Sequence, residues 1–166
     1  MVESVPEQTK QALKTAEGLY HRLVLLVGPS GSGKTDMLRT LAQERGTQVI
    51  NVNLYLSSAL LELTGKQRSL RLPSLLEEML ENASSPILLD NLEILFDQDL
   101  HQDPLRCLQN LSRNRVVLAS WNGIVRKKHL LYAEPSHPEF HSYEAADLLY
   151  VAMPGHPEPA FEEVTI

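Results

Sequence analysis

The stretch GPSGSGKT, residues 28–35, follows the apolar run LVLLV at 23–27 and precedes a helix-forming segment at 36–44. It fits the pattern G-x-x-x-x-G-K-S/T in the setting that this motif requires, after a buried strand and before a helix. The sequence therefore predicts a phosphate-binding loop, and with it an α/β fold.

The residue types of this loop match the chemistry of a nucleoside triphosphate. Glycines at 28, 31 and 33 allow positive φ angles and a close approach of the backbone, so that successive N–H groups point at one anion. We expect Lys34 to reach the β- and γ-phosphates and the Thr35 hydroxyl to ligate Mg²⁺. The predicted cofactors are ATP and Mg²⁺, held by Gly28, Pro29, Ser30, Gly31, Ser32, Gly33, Lys34 and Thr35.

Composition limits the class of protein. A chain of 166 residues with 43% hydrophobic residues fits one folded domain. Its 15 basic and 21 acidic residues give a net charge of −6, so that nucleic-acid binding would need a local basic patch or a basic partner. No membrane span or signal peptide is recognisable, and Cys107 is the only cysteine, so we expect a cytoplasmic protein without disulfides.

Apolar runs predict the remaining elements. Strands are expected at 47–54, 86–90, 115–123 and 130–133, and helices at 7–20, 56–63, 75–80 and near 105–114; residues 145–153 are a helix or an edge strand. Strand–helix–strand units predict a three-layer α/β/α sandwich with a mostly parallel, five-stranded sheet. This single P-loop domain is expected over residues 1–153, followed by an acidic, proline-rich tail at 154–166.

A carboxylate, Asp90, ends the predicted strand at 86–90. We expect it at the carboxyl edge of the sheet, opposite Thr35, in the Walker B role of holding Mg²⁺. Asn91 follows where many ATPases have glutamate, and an amide cannot accept a proton from the attacking water. Either hydrolysis is slow, or Glu93 or a partner supplies the base; the alternative for Glu93 is an ordinary surface residue.

The predicted strand at 115–123 finishes in polar residues. Asn122 or Ser120 is placed to sense the γ-phosphate or the attacking water. The alternative is a turn, because Asn122-Gly123 is a strong turn pair.

Two basic segments interrupt this acidic chain, a predicted loop at 64–73 and a cluster before the strand at 130–133. Each is either a solvated charge run or a contact with a nucleic-acid backbone or an acidic partner. Arg126 has a third interpretation, as a finger that reaches the γ-phosphate of a neighbouring subunit. The cations are Lys66, Arg68 and Arg71 in the first segment and Arg126, Lys127 and Lys128 in the second.

The order GPSGSGKT, ILLDNLEILF, VVLASWNG and LLYAEPSHPEF in so short a chain resembles the BrxF family, small P-loop proteins of type III BREX phage-defence systems. The resemblance covers residues 20–142 and implies an AAA-like core without a helical lid. It also implies an ATP-binding subunit that works with the other components of a prokaryotic defence complex. The phosphate-loop residues and Asp90 match the family pattern, whereas no finger assignment transfers to Arg126.

We therefore expect a Mg²⁺-dependent ATPase or nucleotide-dependent assembly switch, slow alone, with ATP at the edges between subunits of a homo-oligomer. Two alternatives remain open. A small P-loop kinase would need an arginine-bearing lid, and a non-hydrolysing nucleotide-binding module is made credible by Asn91. The expected catalytic residues are Lys34, Asp90, Glu93, Asn122 and Arg126.

Overall fold

The computed structural model of the chain describes residues 4–133 and 139–154. Its strands are β1 Leu23–Gly28, β2 Val49–Asn51, β3 Ile87–Asp90, β4 Val117–Arg126, β5 His129–Tyr132, β6 His141–Glu144 and β7 Leu149–Ala152. Its α-helices are α1 Val5–Ala16, α2 Lys34–Arg45, α3 Val52–Ala59, α4 Gly65–Met79 and α5 Pro104–Leu111, and two 3₁₀ helices, Glu93–Phe96 and Gln98–Leu100, follow β3. Within these described ranges, no helix has the length and apolar character needed to cross a membrane.

Five strands form a parallel sheet in the order β2-β3-β4-β1-β7. Helices α1 and α2 pack on one face, where Leu38 meets Leu26 and Leu118 in one core cluster. Helices α3, α4 and α5 pack on the other face, against alternate residues of the same strands such as Leu25 and Leu89. This three-layer α/β/α arrangement confirms the predicted P-loop NTPase fold.

The segment 130–133 is not the fifth parallel strand that the sequence predicted. Strand β4 continues past Asn122 to Arg126, turns at Lys127 and Lys128, and returns as β5 in antiparallel pairing. Strand β6 then adds to β5, and the fifth parallel strand is β7, within the segment predicted as a helix or an edge strand. In the described part of the chain the sheet therefore has seven strands, of which β5 and β6 form an antiparallel extension of β4.

The pair Asn122-Gly123 lies inside β4 and does not form a turn. Residue 123 has to be glycine because a side chain there would overlap the carbonyl oxygen of Leu131 on β5. The turn lies at Lys127 and Lys128, whose φ angles are 49° and 63°. Left-handed backbone at two adjacent lysines carries no sequence signal, which explains why the hairpin was missed.

The predicted loop at 64–73 is the first half of α4. Thr64 and Gln67 form a reciprocal capping box, with the Gln67 N–H 3.3 Å from Thr64 Oγ1 and the Thr64 N–H 3.0 Å from Gln67 Oε1. Pro73 lies inside the helix and cannot donate to the carbonyl of Ser69. Gln102 Nε2 donates to that carbonyl at 3.1 Å and so replaces the hydrogen bond that Pro73 cannot make.

The remaining differences concern ends of elements. The strand predicted at 47–54 stops at Asn51, whose side chain caps α3 by accepting from the Leu54 N–H at 2.9 Å. The predicted acidic tail lies outside the described residues except for Pro154.

Candidate functional site

A cleft of about 310 Å³ lies at the carboxyl edge of the parallel sheet. It contains phosphate-loop residues together with polar residues that follow β3 and end the parallel part of β4. The lining residues are Ser30, Gly31, Gly33, Lys34, Thr35, Asp36, Asp90, Asn91, Glu93 and Asn122.

The backbone of the phosphate loop is shaped by two of its glycines. Gly31 and Gly33 have φ angles of 81° and 98°, which glycine adopts without strain. Gly28 differs from the prediction, because it ends β1 in extended backbone and leaves room for the side chain of Met153. Gly33 caps α2 without a side-chain hydrogen bond, so the first N–H groups of this helix remain available to an anion.

Lys34 begins α2 and is only 5% exposed. Its Nζ donates to the carbonyl oxygens of Gly28 at 2.6 Å and Pro29 at 2.7 Å and lies 3.4 Å from Ser32 Oγ. Burial lowers the pKa of the Lys34 ammonium, while the charges of Asp90 and Glu93 oppose that shift. A phosphate entering the cleft would supply this buried cation with a stronger acceptor than a backbone carbonyl.

Asp90 ends β3 and is 6% exposed. Thr35 Oγ1 donates to Asp90 Oδ2 at 2.7 Å, and Ser120 Oγ donates to Asp90 Oδ1 at 2.6 Å. The predicted pair of Thr35 and Asp90 is thus brought together across α2 and β3. A hydroxyl and a carboxylate at the mouth of a phosphate loop are hard oxygen donors, a set that fits Mg²⁺.

Glu93 lies in the cleft because the chain turns directly after β3. Asn91 has a φ of 57°, and the 3₁₀ helix that follows brings the half-buried Glu93 back towards the site. Asn53 Nδ2 donates to Glu93 Oε1 and Asn122 Nδ2 donates to Glu93 Oε2, each at 3.3 Å. The carboxylate is therefore oriented from both sides by amide groups.

The sequence analysis missed Asn53. Besides its contact with Glu93, its Oδ1 accepts from the Ile94 N–H at 2.8 Å and its backbone N–H donates to the Asn91 carbonyl at 2.9 Å. Asn53 thus ties the start of α3 to the turn after β3. The available signal was a polar residue at the end of the strand predicted at 47–54, a position that topology brings to the same sheet edge.

An aromatic cluster supports the strand that bears Ser120 and Asn122. Trp121, between them, is 1% exposed and donates from Nε1 to the Leu131 carbonyl at 3.1 Å. Phe96 stacks on Tyr132 with ring centroids 3.5 Å apart and meets Trp121 edge to face at 5.2 Å. These contacts join β4 to β5 and to the 3₁₀ helix at Glu93–Phe96. The backbone of β4 at Ser120 and Asn122 is therefore held in place by packed aromatic side chains.

The two basic segments lie outside the residues that line the cleft. Arg126, Lys127, Lys128 and His129 are exposed at the tip of the β4–β5 hairpin, which extends from the strand that bears Asn122. The cations of the first segment lie on α4, where Arg68 Nε donates to the Leu63 carbonyl at 3.0 Å and Arg71 pairs with Glu78 at 3.6 Å.

Comparison with known proteins adds to this geometry. A family model described as "ATPase family associated with various cellular activities (AAA)" matches residues 24–116, more than half of the chain. Among solved structures, the chain is similar to the C. elegans PCH-2 structure with 18% identity and a TM-score of 0.40. That similarity covers 89% of this chain and 40% of the PCH-2 chain, so this chain spans less than half of its length. Among curated proteins, none shows significant similarity.

Proposed function

Because this chain belongs to the ATPase family associated with various cellular activities (AAA), we propose that it binds ATP with Mg²⁺ in the cleft and hydrolyses it. The proposal depends mainly on one observation, the grouping of side chains in the cleft. A buried lysine, a Thr35–Asp90 pair and an amide-held glutamate face one cleft of about 310 Å³ at the N-terminus of α2.

Each residue has a part in the proposed reaction. The phosphate loop and Lys34 bind the β- and γ-phosphates, and Thr35 and Asp90 would hold Mg²⁺, which supplies positive charge to the phosphate oxygens. Glu93 accepts a proton from the attacking water, whose oxygen bonds to the γ-phosphorus as the bond to the β–γ bridging oxygen breaks and ADP leaves. Asn122 holds one Glu93 oxygen through its side-chain amide.

The charge of the cleft supports a role for a second subunit. Among its lining residues, Lys34 is the only cation, against the carboxylates of Asp36, Asp90 and Glu93. A triphosphate adds further negative charge, which one Mg²⁺ would offset only in part, so a cation from a neighbouring subunit would stabilise the transition state. We propose that the chain assembles as a homo-oligomer with ATP at subunit edges and that Arg126 of a neighbour acts as the finger.

A wider role is proposed from the sequence. The order of motifs shared with the BrxF family supports work in the cytoplasm as an ATP-dependent switch within a BREX phage-defence complex. In that setting one of two groups of cations contacts an acidic surface of another component. The groups are Lys66, Arg68 and Arg71 on α4 and Arg126, Lys127 and Lys128 at the hairpin tip. Contact with DNA is chiefly indirect, through the other components.

Phosphate release from ATP tests the enzymatic proposal. The wild type, with Mg²⁺ and at concentrations that permit assembly, should release phosphate, and Lys34→Ala should abolish the release. Mixing Lys34→Ala subunits with Arg126→Ala subunits should restore activity if the finger acts on a neighbour, since mixed interfaces then contain one intact site. Absence of phosphate release by the wild type under all these conditions would contradict the proposal.

A second candidate function is a nucleotide-binding module without hydrolysis. Asn91 favours it, because the residue directly after the magnesium carboxylate is an amide that lines the cleft. Such a module would change its solution mass with ATP and Mg²⁺ without releasing phosphate, and Glu93→Gln would leave that change unaffected. A kinase would consume ATP only when an acceptor is added.

A further inference from the structure

Ser120 and Asp90 form a short hydrogen bond in the interior of the protein. Their side chains are 4% and 6% exposed, and the Oγ–Oδ1 distance is 2.6 Å. This distance lies in the range of charge-assisted O–H···O⁻ bonds, which are about twice as strong as bonds between neutral groups. The contact is therefore a substantial constraint on the Asp90 side chain.

The two oxygens of Asp90 have different partners. Oδ1 accepts from Ser120 on β4, and Oδ2 accepts from Thr35 on α2 at 2.7 Å. Rotation of the carboxylate would break both bonds. Ser120 thus occupies the buried oxygen and leaves Oδ2 directed at Thr35, where Mg²⁺ would be held.

Strand pairing explains why residue 120 is placed to donate a hydrogen bond to Asp90. Strands β3 and β4 pair in parallel with Leu89 opposite Ala119, so the next residues, Asp90 and Ser120, are neighbours across the pair. Leu88 and Leu118, two residues before them, belong to the core cluster that includes Leu38 of α2. Because side chains alternate along a strand, Asp90 and Ser120 lie on the face of the sheet that α2 covers.

Asn122 lies on the same face of β4, two residues further along, and has a different partner. It donates to Glu93 Oε2 at 3.3 Å, whereas Ser120 donates to Asp90. Strand β4 therefore holds one site carboxylate with Ser120 and the other with Asn122. The two contacts predict separable effects, one on the metal and one on the attacking water.

We propose that Ser120 is a positioning residue for Mg²⁺, which acts by fixing Asp90 and does not touch the nucleotide. This inference rests on the proposed binding of ATP with Mg²⁺. It assigns Ser120 a role different from that of a γ-phosphate sensor. Loss of a residue that orients a metal ligand typically weakens metal affinity about 10- to 100-fold, and that range sets the expected size of the effect.

The test measures the affinity for a fluorescent ATP analogue over a Mg²⁺ titration, with a parallel series in EDTA. Ser120→Ala should raise the Mg²⁺ midpoint about tenfold or more and leave the affinity in EDTA unchanged. Ser120→Thr, which keeps the hydroxyl, should restore the wild-type midpoint. Asn122→Ala should reduce the rate of hydrolysis with a wild-type Mg²⁺ midpoint.

Ser120→Cys provides a second test of the inference if the alanine variant does not fold. Its thiol is larger than the hydroxyl and leaves no cavity, but it is a weak donor, so its midpoint should also rise. A wild-type midpoint in a folded Ser120→Ala or Ser120→Cys protein would overturn this inference alone. Failure of the wild-type protein to bind the analogue at any Mg²⁺ concentration would overturn the proposed function and this inference together.

Discussion

Three carboxylates line the cleft, and two of them, Asp90 and Glu93, have surroundings that suit them to different tasks. Asp90 is buried and receives two short hydrogen bonds from hydroxyl groups, at 2.6 and 2.7 Å. Glu93 is half-buried and receives two long ones from amides, both at 3.3 Å. The two short bonds hold the Asp90 carboxylate in one orientation, as its proposed role of metal ligand requires, whereas the two longer bonds hold Glu93, the proposed base, less tightly.

Glu93→Gln tests the second of these tasks. The substitution keeps the size of the side chain but removes the proton acceptor, so ATP hydrolysis should fall about 100-fold or more while ATP affinity is retained. Single-turnover phosphate release and equilibrium binding separate the two effects. A variant that hydrolyses ATP at the wild-type rate would exclude Glu93 as the base.

Asn53→Ala tests whether Glu93 has to be oriented. Loss of the contacts to Glu93 and to the Ile94 N–H should lower the rate of hydrolysis about tenfold, through misplacement of the carboxylate. Asn51→Ala is the matched control, because Asn51 caps the same helix, α3, without touching Glu93. Equal losses of activity in both variants would show that only the stability of α3 matters.

Cys107 offers a pH-dependent measurement away from the cleft. Burial, and secondarily the charge of Asp103, raises the pKa of its thiol to about 11. At pH 8 roughly one thiol in a thousand is then ionised, about 100-fold fewer than at an ordinary pKa near 9, and only the thiolate reacts. The reaction with Ellman's reagent at pH 8 should therefore be about 100-fold slower in the folded protein than in guanidinium chloride, and should accelerate as the pH rises towards 11. Equal rates in the two states would contradict the burial of this thiol.

At the scale of elements, β4 connects the centre of the sheet to the hairpin. Its first residues pair with β1 and β3, Ser120 and Asn122 hold the site carboxylates, and its last four residues pair with β5. The hairpin and the cleft are therefore joined by a single continuous strand.

Gly123→Ala tests the close approach of β4 and β5. An added methyl group would overlap the Leu131 carbonyl oxygen and crowd Trp121 Nε1 at 3.0 Å, so the free energy of unfolding should fall by about 2 kcal/mol. Gly65→Ala is the control, since a methyl group at that helical position meets nothing within 4 Å and should leave stability equal or slightly higher. Thermal or denaturant unfolding of both variants measures the difference, and equal stabilities would contradict the packing described here.

Local patterns predicted some elements, and distant contacts decided others. The phosphate loop and the strand ending in Asp90 were predictable because their apolar runs and glycines act locally. The first half of helix α4 was missed because Pro73 interrupts its pattern, and the compensating donor, Gln102, lies far along the chain. The amide contacts of Asn53 and Asn122 with Glu93 were likewise hidden, since they join residues from three separate elements, α3, the 3₁₀ helix at Glu93–Phe96 and β4.

At the scale of the whole molecule, the topology gathers the chemistry at one edge. The order β2-β3-β4-β1-β7 brings the carboxyl ends of β1, β3 and β4 side by side, so the phosphate loop, Asp90 and Asn122 meet although they are distant in sequence. Because the chain has a net charge of −6, bringing these anionic groups together raises the free energy of the folded protein unless cations are bound. Nucleotide with Mg²⁺ should therefore stabilise the folded protein through preferential binding to it.

Calorimetric titration of ATP in the presence of Mg²⁺, with the wild type and Lys34→Ala, tests the central claim most directly. The wild type should bind one ATP per chain, and Lys34→Ala should lose about tenfold or more in affinity, because the buried ammonium is the cleft's own cation for the phosphates. Wild-type affinity in a folded Lys34→Ala protein, or no binding by the wild type at millimolar ATP, would contradict the assignment of this cleft as an ATP site.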